Sequence, residues 1–344
     1  MPNEMDMARD TGRGGREVVV ITGASAGLGR AIAERFARDR SAIGLIARGP
    51  ERLEQARKSV EALGGRALAL PLDVADAAAV EAAAERIEHV FGPIDVWINN
   101  AMVSVYSPIK EMPADEFRRV TEVTYLGYVH GTLTALRRML PRNRGIIIQV
   151  GSALAHRSIP LQSAYCAAKH AILGFHEALL SELLHDGSRV RTTMVQMPAM
   201  NTPQFDWAKS RMPHQTQPVP PIFQPEVGAD AVHHAVRHDV GRELLVAWPT
   251  VKAVWGEKFV PAYIDRQLAR EGYADEQTAA PADPTRPDNL WKPVAGDYGA
   301  HGRFDDRAKR SSVELWLAKH SPWLQLAGAT AAGMALAAIG GRGD

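Results

Sequence analysis

From Val18 to about Val195, short and nearly unbroken apolar runs alternate with stretches whose apolar positions recur every three to four residues. The runs are VVVITG (18–23), AIGLIA (42–47), ALALPLDV (67–74), DVWINN (95–100), GIIIQVG (145–151) and VRTTMVQM (190–197). A strand that is apolar on both faces needs cover on both, so these runs predict buried strands of a parallel sheet. The stretches between them, Gly29–Asp39 and Glu51–Leu63 first, have the helical spacing that supplies such cover. The alternation predicts a doubly wound, Rossmann-like α/β fold with helices on both faces of the sheet.

Past Met197 the rhythm breaks. Residues 198–225 hold seven prolines and show no period, which predicts a long loop with a short helix lying over the site as a lid. Glu226–His238 reads as a helix, ELLVAW (243–248) as a last strand and Val251–Arg270 as a further helix. The Pro, Gly and Asp content of 280–312 predicts an irregular wrapping segment. Four parts follow: a flexible tail over 1–16, an α/β domain over 17–250, a helical then Pro/Gly-rich extension over 251–321, and an apolar helix over 322–340.

Composition narrows the class. Forty basic against thirty-nine acidic side chains in 344 residues leave a net charge of +1, so no single-sign field recruits nucleic acid. The single cysteine, Cys166, excludes an intrachain disulfide framework. His156, His233, His234 and His238 show no acidic partner at ligand spacing, and no metal site is expected. The polar start carries no secretory signal pattern, which makes the cytoplasm the default compartment. Pro322–Ile339 is uncharged between Lys319 and Arg342. It is marginal against the about 20 apolar residues of a membrane span, and it is rich in Ala and Gly. A membrane-associated tail and an amphipathic or dimer-packing tail both stand.

Candidate chemistry begins at the first strand, which runs into Thr22-Gly23-Ala24-Ser25-Ala26-Gly27-Leu28-Gly29 and then a helix. A pyrophosphate needs backbone N–H groups and a helix N-terminus with nothing bulky between, and glycines at such a turn provide both. The second strand ends Leu45-Ile46-Ala47-Arg48, with no carboxylate until Glu51. An acidic residue there would hold the ribose 2′-hydroxyl of NAD, whereas Arg48 suits the 2′-phosphate of NADP. The other reading of Arg48 is a solvated side chain.

Beyond the later strands, Ser152 follows GIIIQVG, and Tyr165 and Lys169, at i and i+4, share one face of the next helix. With the T-G-x-x-x-G-x-G loop and Asn99-Asn100-Ala101, and with the serine thirteen residues before Y-x-x-x-K, the chain resembles the short-chain dehydrogenase/reductase family from about Val18 to Trp248. The resemblance implies hydride transfer between NADP(H) and a carbonyl or secondary alcohol, here of an apolar substrate. Tyr165 would be the acid, Lys169 would lower its pKa and hold the nicotinamide ribose, and Ser152 would bond the substrate oxygen. It also implies cofactor contacts at Asp73, Val74, Asn100, Pro198 and Thr202, and homodimers or homotetramers through the helices carrying Thr124 and Tyr165. Met200, Phe205 and Trp207 are candidates for the substrate pocket. Two departures stand out: Thr124 occupies the place of the family's fourth catalytic residue, an asparagine, and Met102 that of a glycine. They keep a second reading open, an NADP-binding regulatory or scaffold protein with weakened or lost catalysis.

Overall fold

A computed structural model describes residues 16–320. Its strands are β1 (Val18–Thr22), β2 (Ala42–Ala47), β3 (Arg66–Pro71), β4 (Val96–Asn99), β5 (Val105–Tyr106), β6 (Ile146–Val150), β7 (Arg191–Gln196), β8 (Lys209–Ser210), β9 (His214–Thr216), β10 (Glu243–Leu245) and β11 (Gln277–Pro281). Seven of them form one sheet in the order β10-β7-β6-β4-β1-β2-β3, with every neighbouring pair parallel. The chain winds outward from β1 to β3, then crosses back to β4 on the other side of β1. That reversal opens a crevice beyond the carboxyl ends of β1 and β4.

The helices are α1 (Gly27–Ala37), α2 (Pro50–Ala62), α3 (Ala77–Phe91), α4 (Ala114–Thr121), α5 (Gly127–Met139), α6 (Ser163–His185), α7 (Gln204–Trp207), α8 (Pro225–Arg237), α9 (Trp248–Phe259), α10 (Pro261–Asp275) and α11 (Val313–His320). Alternate residues of each strand face opposite layers. Val19 and Ile21 pack with Ile32, Phe36 and Val232 of α1 and α8, while Val18 and Val20 pack with Val80, Ile87 and Leu183 of α3 and α6. Each such fully buried side chain contributes about 1.5–3 kcal/mol, which is why runs apolar on both faces become central strands.

Three expectations are corrected beyond Met197. The predicted strand 243–248 stops at Leu245: Ala247 turns the chain at φ 66, and Trp248 already begins α9. The predicted helix Val251–Arg270 is two helices, because Pro261 has no N–H to continue α9 and starts α10 instead. Residues 198–225 contain α7, β8 and β9. This loop is fastened at two points, β8 to β5 and β9 to β11 of the extension. The tail over 1–15 and the apolar segment 322–340 lie outside the described residues. Among the described residues no helix is long and apolar enough to cross a membrane.

Candidate active site

The crevice holds a cavity of about 390 Å³ lined by the glycine loop, the ends of β4 and β6, the start of α6 and the loop before α7. Its floor is knitted by Thr22 and Asn100. The Thr22 hydroxyl accepts the N–H groups of Asn100 at 2.9 Å and Ala101 at 3.1 Å, and the Asn100 amide donates to the Thr22 carbonyl at 3.0 Å. Gly29 must lack a side chain: a Cβ there would lie 2.2 Å from the Gly23 carbonyl oxygen and 2.6 Å from the Asn100 amide nitrogen. The start of α1 is thereby drawn tight against β1, and Ser25, Gly27 and Leu28 are left lining the cavity. A turn with glycine at 23, 27 and 29, facing a helix N-terminus, fits a dinucleotide pyrophosphate.

Arg48, Asp73 and Val74 line one end of the cavity. The Arg48 guanidinium donates to the carbonyls of Leu290, at 3.1 Å, and Asn289. Asp73 pairs with Arg119, which also donates to the Leu290 carbonyl at 3.2 Å, and caps Ala75 N–H at 3.0 Å. Arg48 is half-buried and has backbone partners. It is aimed along the cavity wall by the extension, as is Arg52, whose guanidinium lies 4.8 Å from the Trp207 ring and 5.8 Å from that of Tyr298. Nothing local in the sequence announces Arg52, Arg119 or Asn289 at this end, because their partners lie far along the chain. Pro198 and Thr202 line the cavity near Gly27, whose N–H donates to the Gly299 carbonyl at 2.9 Å.

Ser152, Tyr165 and Lys169 meet at the centre, brought there by the end of β6 and the first turns of α6. Ser152 and Tyr165 line the same cavity, where burial pushes the Tyr165 phenol above its ordinary value while Ser152 works to lower it. Lys169 is fully buried; it donates to the Val150 carbonyl at 2.8 Å and to the Tyr128 hydroxyl at 3.1 Å. Its Nζ lies 5.5 Å from the Tyr165 ring, and burial pulls the ammonium down to about 7. Desolvation of both groups works against the lowering of the Tyr165 pKa that the resemblance implies for Lys169. Behind the serine, Ser152 N–H donates to the Gln196 side-chain oxygen at 2.7 Å, and the Gln196 amide donates to Glu243 at 2.9 Å. His156 also reaches Glu243 at 2.9 Å. This carboxylate partner, brought by β10, was not visible in the sequence spacing.

Between α4 and α5 the helix passes through a π-helical turn, Glu122–Leu126, that contains Thr124. Thr124 is buried and is bonded to the backbone of Val103. Met102 lines the cavity next to that segment. Of the three substrate-pocket candidates, Met200 and Phe205 line the cavity, and Phe205 packs on Tyr106 and Phe304. Trp207 also lines it, but with its ring against Arg52 and Tyr298. Gln162, Tyr106 and Ile159 line the cavity too and were not singled out from the sequence. Cys166 is buried beside them. Among the described residues no group of three or more His, Cys, Asp or Glu side chains is arranged to hold a metal ion.

The short chain dehydrogenase family profile matches residues 17–212. An uncharacterized oxidoreductase of Bacillus subtilis is 28% identical over 282 residues, 81% of this chain and 79% of that protein. A fatty acyl-CoA reductase of Acinetobacter baylyi is 31% identical over 222 residues, 64% of this chain and 72% of that protein. Among solved structures, an alcohol dehydrogenase of Thermococcus sibiricus complexed with 5-hydroxy-NADP superposes with a TM-score of 0.58 at 28% identity. The superposition covers 67% of this chain and 95% of that one.

Proposed function

The chain belongs to the short-chain dehydrogenase family, and from that premise we propose that it is an NADP(H)-dependent reductase of apolar carbonyl compounds, reversible toward the secondary alcohols. The observation that carries the reading is the convergence of Ser152, Tyr165 and Lys169 in one cavity with the glycine loop. When bound, NADPH supplies the hydride. Thr22, Gly23, Ser25, Gly27, Leu28, Gly29 and Asn100 would seat its phosphates and neighbouring groups, with Pro198 and Thr202 at the nicotinamide end and Asp73 and Val74 at the adenine. Arg48, with Arg52 beside it, is the residue for the 2′-phosphate, a charge-assisted contact unavailable to NAD.

Ser152 bonds the substrate oxygen and Tyr165 gives it a proton. Burial keeps the Tyr165 phenol protonated near neutral pH, so it holds the proton that carbonyl reduction consumes. The Val150 carbonyl and the Tyr128 hydroxyl hold the Lys169 ammonium beside the Tyr165 ring, where it would hold the nicotinamide ribose. Around the reacting position Tyr106, Leu154, Ile159, Met197, Met200 and Phe205 form an apolar wall, and the Acinetobacter relative carries the name of an enzyme for an acyl substrate.

We also propose a homodimer or homotetramer. Phe117, Leu126, Leu133 and Leu140 on and around α4 and α5 are exposed apolar side chains suited to that contact. The regulatory reading rests on Thr124 and is opposed by the complete Ser152, Tyr165 and Lys169 set. A cytoplasmic enzyme with membrane contact through residues beyond 320 remains our proposal for location, to be tested by fractionation with and without that segment.

NADPH oxidation by the wild type and Tyr165→Phe, against a panel of apolar ketones and aldehydes with NADH in parallel, tests the reading. We expect turnover with NADPH that falls by about 100-fold or more in the variant, with NADPH binding retained. Equal turnover in both proteins would overturn it.

A further inference from the structure

A second polar pair lies beside the apolar wall, outside the Ser152, Tyr165 and Lys169 set. Gln162 precedes α6, three residues before Tyr165, and lines the cavity. Its amide nitrogen donates to Glu276 at 2.7 Å, and its amide oxygen accepts from the Ser104 hydroxyl at 3.5 Å. Glu276 comes from the extension, at the joint between α10 and β11, and is fully buried. The joint is held in place by the lid: Gln217 N–H donates to the Glu276 carbonyl at 2.9 Å, and the Gln217 amide donates to the Asp275 and Gln277 carbonyls at 3.0 and 2.9 Å. One oxygen of the Glu276 carboxyl has no hydrogen-bond partner.

A buried acid with half its hydrogen-bonding capacity unspent calls for a reason. Packing alone does not give one, since a leucine or methionine would fill the space without the desolvation cost.

We propose that Glu276 is a positioning residue for substrate selection, fixing the Gln162 amide so that its remaining N–H and carbonyl lone pair meet a hydroxyl or carbonyl group on an otherwise apolar substrate, remote from the reacting oxygen. The inference rests on the oxidoreductase reading of the same cavity. Its chemistry is that of an apolar site with one oriented amide, which rejects a substrate lacking the matching group more strongly than a purely apolar wall does. Burial pushes the Glu276 carboxyl up to about 8, with Asp275 adding to the rise and the Gln162 hydrogen bond opposing it. The ionisable groups that face it are Asp275 on its own helix, Tyr106 on β5 and Cys166 on α6, with Arg286 acting on Tyr106 from the extension. At neutral pH the acid is uncharged, and its ionisation as pH rises through about 8 places a negative charge behind Gln162.

The test uses the full chain and pairs of medium-length ketones that differ only by a remote hydroxyl. Wild type, Gln162→Ala, Glu276→Ala and Glu276→Gln are compared by KM, kcat and NADPH binding. We expect Gln162→Ala and Glu276→Ala to raise KM for the hydroxylated ketone by about tenfold, the size of one lost hydrogen bond, while kcat, the plain ketone and NADPH binding are unchanged. Glu276→Gln should restore the low KM and abolish a change in KM near pH 8 that the wild type shows. If Glu276→Ala does not fold, the pH profile of Glu276→Gln decides. Wild-type turnover with selectivity and pH profile unaltered in the variants would overturn this inference alone. No wild-type turnover of any carbonyl with NADPH would overturn it together with the reading it rests on.

Discussion

Thr124 brackets the backbone of Val103: its hydroxyl accepts the Val103 N–H at 3.1 Å and donates to the Val103 carbonyl at 2.9 Å. The side chain thus spends both functions on one residue of the strand-end loop and pins the π-helical turn of residues 122–126 against it. A π turn survives where a specific contact stabilises it. Thr124→Val keeps the shape and removes both bonds, leaving two buried backbone groups unpaired. We expect a loss of about 1–3 kcal/mol in denaturant unfolding and a fall in kcat, and little change for Thr124→Asn, which can bond the same two groups. Full stability in Thr124→Val would show that the turn does not depend on the clip.

Arg48 is held by the carbonyls of Leu290 and Asn289 rather than by a side chain. Carbonyls orient a guanidinium without neutralising it, so its charge is kept for an anion. Arg48→Ala should weaken NADPH binding by about 10- to 100-fold, the range for a hydrogen bond to a charged group. NADH binding should change by less than threefold. Equal losses for the two cofactors, measured by fluorescence titration, would reassign Arg48 to docking the extension.

The chain from Ser152 N–H through Gln196 to Glu243 and His156 sets the serine backbone. Burial pushes the Glu243 carboxyl up, but hydrogen bonds from His156 and Gln196 prevail and hold it down at about 2. Its folded value lies below the unfolded one. The stability it contributes is therefore complete above the ordinary carboxylate value and is lost as pH falls toward about 2. Glu243→Gln should flatten the acid side of the stability profile between those limits, and should lower kcat more than it raises KM. An unchanged acid limb in thermal melts would argue against the network.

Gly29→Ala inserts a carbon 2.2 Å from the Gly23 carbonyl oxygen and 2.6 Å from the Asn100 amide nitrogen, which is itself tied to the Thr22 carbonyl. The variant should lose NADPH binding, or fail to fold, as seen by titration and circular dichroism. A soluble variant with wild-type affinity would mean that the start of α1 can shift.

Much of this site was legible in the sequence, because its parts are local. Tyr165 and Lys169 share a face four residues apart on one helix. The loop from Thr22 to Gly29 joins a strand directly to a helix, and runs apolar on both faces dictate a covered parallel sheet. These follow from short-range sterics and from the burial of apolar surface, which the order of residues alone determines. Proline chemistry was equally local at Pro261, where the long helix expected there breaks in two.

The contacts that tune the site were decided elsewhere. Arg48 meets Leu290 across 242 positions and Gln162 meets Glu276 across 114. Val103 meets Thr124 only because a loop after β4 folds back on a helix. No periodicity records such pairings. Packing forces them: once the sheet and its covering helices are built, the extension has one crevice to lie over. Its carbonyls and carboxyls, Glu276 among them, must then find partners among side chains the fold has already placed. The order of residues dictates the frame and sets Ser152, Tyr165 and Lys169 where one cavity can gather them, while their surroundings come from packing, because hydrogen bonds to buried groups are chosen by proximity in space.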